Sequence, residues 1–229
     1  MSVLLVDNLA SIRSRIADAA LRCRRSPEEI ALLAVSKQQS AVAIRSLFAH
    51  GQHAFGESYL QEALPKIEAL CDLTIDWHYV GQIQSNKTRP IAEHFRWVHT
   101  VDRSKIAERL SEQRPVDSPP LNVCIQVKLE EEPGKGGVRP EEVAALAQSI
   151  AQLPRLRLRG VMCIPPPRDT FAEQRALFDR CAALLRSLND RGFRLDTLSM
   201  GMSDDLEAAI AAGSTMVRIG TALFGQRPK

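Results

Sequence analysis

The sequence predicts an α/β fold, a single (β/α)8 TIM-type barrel over residues 1–229 with one extra helix at its N-terminus. Three observations predict it. Eight short apolar runs read as strands, most are followed by a helical stretch, and 229 residues suit one such barrel. A doubly wound open sheet is the structural alternative; the strand count and the absence of an early G-x-G-x-x-G weigh against it.

The elements follow in order. Residues 3–23 carry Leu5, Leu9, Ile12, Ile16 and Ala19 on one helical stripe, ahead of the first strand. Ser26-Pro-Glu-Glu29 reads as a helix start, with a serine cap, an early proline and a glutamate three residues on. Strand Ala31–Ser36 precedes helix Ala41–His50, which Gly51 ends. Strand Ala54-Phe55 leads to helix Tyr59–Leu70, strand Trp77–Val80 to a short helix near Ser85–His94, and strand Trp97–Thr100 to helix Arg103–Gln113. Strand Val123–Leu129 is followed by the glycine loop Pro133–Gly137 and helix Pro140–Gln152. Strand Leu158–Ile164 leads to helix Thr170–Asp190, strand Thr197–Met200 to a helix from Asp204 to Ala212, and strand Met216–Ile219 closes the series.

Composition narrows the function classes. Hydrophobic residues make up 45% and charged residues 25%, an ordinary soluble balance, and a net charge of +3 is too mild to argue for nucleic acid. Five cysteines with no C-x-x-C fit a reduced protein rather than a disulfide scaffold. Early charges at Asp7, Arg13 and Arg15 break any secretory pattern, and no apolar run reaches membrane-spanning length. The expectation is a cytoplasmic protein without membrane attachment. His50 and His53 flank a turn without a third ligand at metal spacing, so no metal site is expected.

Chemistry concentrates at the strands' C-terminal ends, where barrels of this kind place their sites. Lys37 ends the first strand, and in a closed barrel the first strand lies beside the eighth. Partial burial there would free its amine as a nucleophile toward an aldehyde. The loops after strands 7 and 8 commonly bind phosphate. Here they are Leu198-Ser-Met-Gly-Met-Ser-Asp-Asp205 and Val217-Arg-Ile-Gly-Thr-Ala-Leu-Phe-Gly225. Ser203 is expected to cap the helix from Asp204, and Gly220 and Thr221 to supply a close backbone approach and a hydroxyl. An amine beside an anion pocket is what pyridoxal phosphate needs. Arg218, between Val217 and Ile219, would point into the barrel and meet either Glu57 in an ion pair or a pyridine nitrogen, to which it can only donate. Met200, Gly201, Met202, His78 and Asn86 are weaker candidates for the same site, His78 being equally readable as a hydrogen-bonded core histidine.

These residues resemble the pyridoxal phosphate homeostasis proteins, whose barrel is like the N-terminal domain of alanine racemase. The markers are Ala34-Val-Ser-Lys37, Phe55-Gly-Glu57, Trp77-His-Tyr-Val-Gly-Gln-Ile-Gln-Ser-Asn-Lys87, Gly160-Val-Met, and Leu198–Asp205 through Arg218-Ile-Gly-Thr221 to Phe224-Gly225. The resemblance implies that Lys37 holds pyridoxal 5′-phosphate as a Schiff base. It implies that Arg218 contacts the ring nitrogen and that Ser203, Gly220 and Thr221 hold the phosphate. Two positions depart from the family pattern: Ser58 follows Glu57 where asparagine is usual, and Lys128 stands where the fifth strand usually has asparagine. Lys128 is a candidate to tune Lys37 or to accept the aldehyde itself.

Two functions from different classes fit. The first is a non-catalytic carrier that buffers or delivers pyridoxal phosphate, with the cofactor and apo enzymes that need it as partners and the chain as a monomer. The second is a racemase-like enzyme. Racemases add a second domain after the barrel, and the sequence ends at Lys229, soon after strand 8, which favours the carrier.

Overall fold

The computed structural model describes residues 2–132 and 134–225. Pro133 of the glycine loop, and Met1 and residues 226–229 of the expected single unit, lie outside the described residues. Eight parallel strands close into a barrel in sequence order, β1-β2-β3-β4-β5-β6-β7-β8. They are β1 Ala31–Val35, β2 Ala54–Glu57, β3 Asp76–Tyr79, β4 Trp97–Val101, β5 Leu121–Val127, β6 Leu156–Cys163, β7 Thr197–Ser199 and β8 Met216–Ile219. The closing seam pairs Ala31 with Met216 and, residue by residue, reaches Ala34 with Ile219. That register puts Lys37 and the Gly220-Thr221 segment at one rim.

The helices are α1 Ser2–Arg22, α2 Ala41–Phe48, α3 Leu60–Ala69, α4 Thr88–His94, α5 Ser104–Gln113, α6 Val143–Ala151, α7 Phe171–Asp190, α8 Leu206–Ala211 and α9 Thr221–Phe224. Their ends follow local chemistry. Ser40 Oγ accepts the Ala43 N–H at 3.2 Å to start α2. Thr170 and Glu173 exchange hydrogen bonds, each 3.3 Å, as a capping box on α7. Ser26-Pro-Glu-Glu29 starts no α-helix. It forms one 3-10 turn, Pro27–Glu29, because β1 begins at Ala31 and leaves no room for a second turn. The seventh helix of the repeat, α8, has only 6 residues, and α1 makes up the cover. It packs on α2, α8 and α9 across the seam, with Leu5, Leu9, Ile12 and Ile16 buried. Each such side chain contributes about 1.5–3 kcal/mol.

Two cores result. A contiguous apolar cluster, with Phe55, Phe95 and Phe178 fully buried, fills the layer between strands and helices. Inside the barrel sit Leu33, Met162 and Met216, buried but separate from that cluster. Strand register places His78, His99, Ser199 and Arg218 on the same inner face: Gly56 lies beside His78, Met162 beside Ser199, and Leu33 beside Arg218.

Candidate functional site

Side-chain alternation carries Leu33 and Val35 into the barrel and continues the inward parity to Lys37, just past the end of β1. The turn behind Lys37 is held from outside. The Ser36 carbonyl accepts Lys66 Nζ at 2.8 Å, and the Gln38 N–H donates to Glu62 Oε2 at 2.8 Å. Gln38 is one of two non-glycine residues among those described with positive φ, at 63°. Ser36 Oγ and Lys66 Nζ both reach Glu57 Oε1, at 2.6 and 2.8 Å. Burial pushes the Glu57 carboxyl up, and the Lys66 and Ser36 hydrogen bonds oppose that rise. Glu57 Oε2 is buried without a hydrogen-bond partner.

A cavity of about 430 Å³ opens at this rim. Lys37, Arg218, Met202, Ser203, Gly220 and Thr221 all line it. Six of the ten residues expected from the sequence thus come together. Ser203 Oγ accepts the Ala222 N–H at 3.4 Å, which ties the loop after β7 to the loop after β8. A Cβ at Gly220 would stand 3.4 Å from the Val35 carbonyl oxygen, an ordinary contact, so sterics alone do not require glycine there. Asp204 also lines the mouth, but it is exposed, so water screens its charge from the neighbouring donors.

Four expected site residues do not line the cavity, and each has a physical reason. Met200 is fully buried in the outer apolar cluster. Gly201 has φ 97°, and a Cβ there would stand 2.5 Å from the Ala209 Cβ. Its role is to let the loop pass close to α8. His78 is the core histidine, 2.9 Å from His99 and stacked on Trp97. Asn86 is exposed on the 3-10 turn Ser85–Lys87. Ser203 is not the cap of α8. That helix starts two residues later than expected, with Asp205 before it, and Asp205 Oδ1 takes the Met202 N–H at 2.5 Å. Lys128 also stands apart from the cavity lining. Its Nζ pairs with Glu131 Oε2 at 2.6 Å, and its main-chain N–H donates to the Val138 carbonyl.

Arg218 is 5% exposed and makes no ion pair with Glu57. Alternation explains it: Glu57 points out to Lys66 of α3, and Arg218 points in. Arg218 Nη1 donates to Ser199 Oγ at 2.9 Å and Nη2 to the Cys163 carbonyl at 2.8 Å. Burial is the main influence lowering its pKa.

Other lining residues are not among the expected site residues, although a simple signal marks them. Ser58, Val80 and Ile164 each follow the last residue of a strand: β2, β3 and β6. Ser58 is one of the two departures from the family pattern, so that departure lies in the cavity itself. Among the described residues no cluster of three His, Cys, Asp or Glu could hold a metal, and no helix is long and apolar enough to cross a membrane.

Fold and cavity together define a class: a TIM-type barrel presenting one amine, one buried guanidinium and a set of neutral donors at a single mouth. Comparison with known proteins agrees. The family profile "Alanine racemase, N-terminal domain" matches residues 8–228. The pyridoxal phosphate homeostasis protein of Pseudomonas aeruginosa is 58% identical over 223 residues, covering 97% of this chain and 96% of the relative. That of Escherichia coli K12 is 52% identical over 226 residues, covering 97% of both. PipY of Synechococcus elongatus, solved with pyridoxal phosphate bound, is 39% identical with a TM-score of 0.85, over 96% of this chain and 100% of PipY. The chain belongs to the alanine racemase N-terminal-domain family, and within it to the pyridoxal phosphate homeostasis proteins. Alanine racemase of Clostridium difficile, 14% identical with a TM-score of 0.79, shares the fold, and this chain covers 57% of its length.

Proposed function

We propose that this chain binds pyridoxal phosphate reversibly through Lys37 and buffers or delivers it in the cytoplasm, without turning over a substrate. The observation that carries the reading is the single cavity co-lined by Lys37, Arg218, Ser203, Gly220 and Thr221. Its chemistry matches the ligand part by part. When bound, the cofactor supplies an aldehyde that condenses reversibly with a primary amine, the carbonyl oxygen leaving as water. Lys37 brings that amine, and the turn pinned by Lys66 and Glu62 orients it. Ser203, Thr221 and the Gly220 main chain offer neutral donors to a phosphate. Arg218 only donates, so it suits an unprotonated ring nitrogen and leaves the ring a weak electron sink.

The relatives' shared name and the bound cofactor in PipY support the cofactor assignment. The cavity lining supports the carrier over the enzyme. Racemisation needs proton-transfer groups on both faces of a carbanion, and among the described lining residues Lys37 is the one nitrogen base. The five cysteines are all free thiols, in keeping with a reducing compartment. The chain acts as a monomeric single-domain carrier whose partners are apo enzymes that require the cofactor.

The test is the visible spectrum of the cofactor-loaded protein before and after borohydride, followed by peptide mapping. The pyridoxyl group is expected on Lys37; finding it only on Lys128 or Lys87 overturns the anchor. Handover to an excess of apo enzyme should restore that enzyme's activity. Amino-acid α-proton exchange at an enzyme-like rate, abolished by Lys37→Ala, would reject the carrier.

A further inference from the structure

The inside of a (β/α)8 barrel is ordinarily filled by branched apolar side chains. Here four polar side chains from four strands cross it. His78, His99, Ser199 and Arg218 are 2%, 0%, 0% and 5% exposed. His78 Nδ1 lies 2.9 Å from His99 Nε2, and His99 Nδ1 lies 2.8 Å from Ser199 Oγ. Arg218 Nη1 reaches the same Ser199 Oγ at 2.9 Å. One chain of contacts therefore runs from the middle of β3 to a side chain that lines the cavity.

The proton positions along this chain follow from donor inventory. A guanidinium only donates, so Ser199 Oγ accepts from Arg218. The serine hydroxyl has one proton, and its other contact is His99 Nδ1, which must accept it. The His99 proton then sits on Nε2 and is donated to His78 Nδ1, which places the His78 proton on Nε2. The opposite polarity would leave the serine proton buried with no acceptor. Neutral rings are also what burial dictates: it pushes His78 down to about 3 and His99 well below the ordinary range.

We propose that Ser199, His99 and His78 are positioning residues for Arg218. They form a one-way hydrogen-bond chain that fixes the plane of the guanidinium without neutralising it. With the Cys163 carbonyl holding Nη2, two of the five N–H donors are committed inside the barrel. A carboxylate in Ser199's place would pair with the charge and draw it inward; a neutral hydroxyl backed by a neutral imidazole holds the group, and among the described residues the carboxylate whose charge acts on it, Asp205, makes no ion pair with it. The group recognised is an aromatic ring nitrogen acting as an acceptor. This inference rests on the reading of Arg218 as the ring-nitrogen contact.

The experiment compares pyridoxal phosphate with its 1-deaza analogue, in which C–H replaces the ring nitrogen, on the full chain and on Ser199→Ala, His99→Phe and Arg218→Met. The unsubstituted protein should prefer the parent by about tenfold, the value of one charge-assisted hydrogen bond. Arg218→Met should abolish that preference, and Ser199→Ala and His99→Phe should pull it most of the way to unity. A merely structural role would weaken both ligands equally and keep the ratio. If Arg218→Met removes the preference while Ser199→Ala and His99→Phe retain it, the positioning chain is refuted and the Arg218 reading stands. If the unsubstituted protein has no preference, the Arg218 reading falls and takes the chain with it. Should the variants fail to fold, nitrogen-15 histidine spectra of the unsubstituted apo protein decide. Both His78 and His99 should be neutral with the proton on Nε2, and a proton on Nδ1 of His99 overturns the proposal.

Discussion

Mild acid should weaken this fold through two imidazoles that never meet solvent. His78 and His99 are buried inside the barrel and hydrogen-bonded to each other. Burial holds the His78 pKa at about 3, against 6.5 for a free ring, and holds His99 well below that value. In the unfolded chain both rings regain an ordinary pKa of about 6.5. Below that value the unfolded state binds protons that the native state does not, so stability falls as pH falls. The contribution is fully present above about pH 6.5 and drains away toward about pH 3. Between about pH 7.5 and pH 5 each ring costs about 2 kcal/mol, so the pair costs about 4 kcal/mol. That is a large share of an ordinary folding stability of about 5–15 kcal/mol. Glu57, Asp102 and Asp205 work in the opposite sense, since burial pushes all three carboxyls up. Urea unfolding at a series of pH values therefore needs a His78→Asn/His99→Asn comparison, in which the steep part of the slope should vanish. Native-state proton spectra give the direct check. A signal from either buried ring that titrates between about pH 5 and pH 7 would refute the linkage.

Three further outcomes are expected. Thr221→Val should weaken pyridoxal phosphate about tenfold or more by equilibrium titration, because one hydrogen bond to a charged group is worth about 1.5–3 kcal/mol; unchanged affinity would remove Thr221 from the site. Gly201→Ala should destabilise the chain by about 1–3 kcal/mol in urea unfolding, since φ is 97° and the new Cβ would stand 2.5 Å from Ala209. It should also loosen cofactor binding, because the Gly201 carbonyl accepts the Arg218 N–H at 2.9 Å. Lys66→Met should cost about 3–5 kcal/mol by stranding the fully buried Glu57 carboxyl, and adding Glu57→Gln should recover most of it.

What the sequence reveals of this molecule, and what it hides, divides along one physical line. Alternation and periodicity are local, so the eight strands, and Arg218 facing inward between Val217 and Ile219, are readable directly. Lys37 is readable as a rim residue because it continues the parity of Leu33 and Val35. Contacts that join distant strands are not local. Nothing in Thr197-Leu-Ser199 or Trp97-Val-His99 announces that Ser199 and His99 meet, because only barrel closure brings β4 and β7 within reach. Their one sequence signal is a polar residue on the inward parity of a short apolar strand, the same signal that Arg218 gives. Loop chemistry misleads for a related reason. Ser203 reads as a helix cap, yet Asp205 captures the Met202 N–H and moves the start of α8 onward.

The polar interior and the small cavity belong to one economy of charge. A guanidinium in a barrel core is costly unless its donors are satisfied, and a carboxylate partner is the cheapest way to satisfy them. This chain places Glu57 on the outward face of β2 and commits it to Lys66, and the carboxylate whose charge still acts on Arg218, Asp205, also binds the Met202 N–H. Arg218 is left with a hydroxyl and a main-chain carbonyl. That arrangement gives up stability inside the barrel, and the two neutral imidazoles behind it give up more as pH falls. The same Glu57–Lys66 pair, through the Ser36 carbonyl, braces the turn that carries Lys37. That outward ion pair thus fixes the base of the amine while Arg218 is held from within the barrel. Arg218→Met should accordingly shrink the rise in unfolding midpoint that a fixed concentration of pyridoxal phosphate produces, because that rise is set by affinity alone and the variant loses a charge-assisted contact; an unchanged rise would remove Arg218 from the ligand.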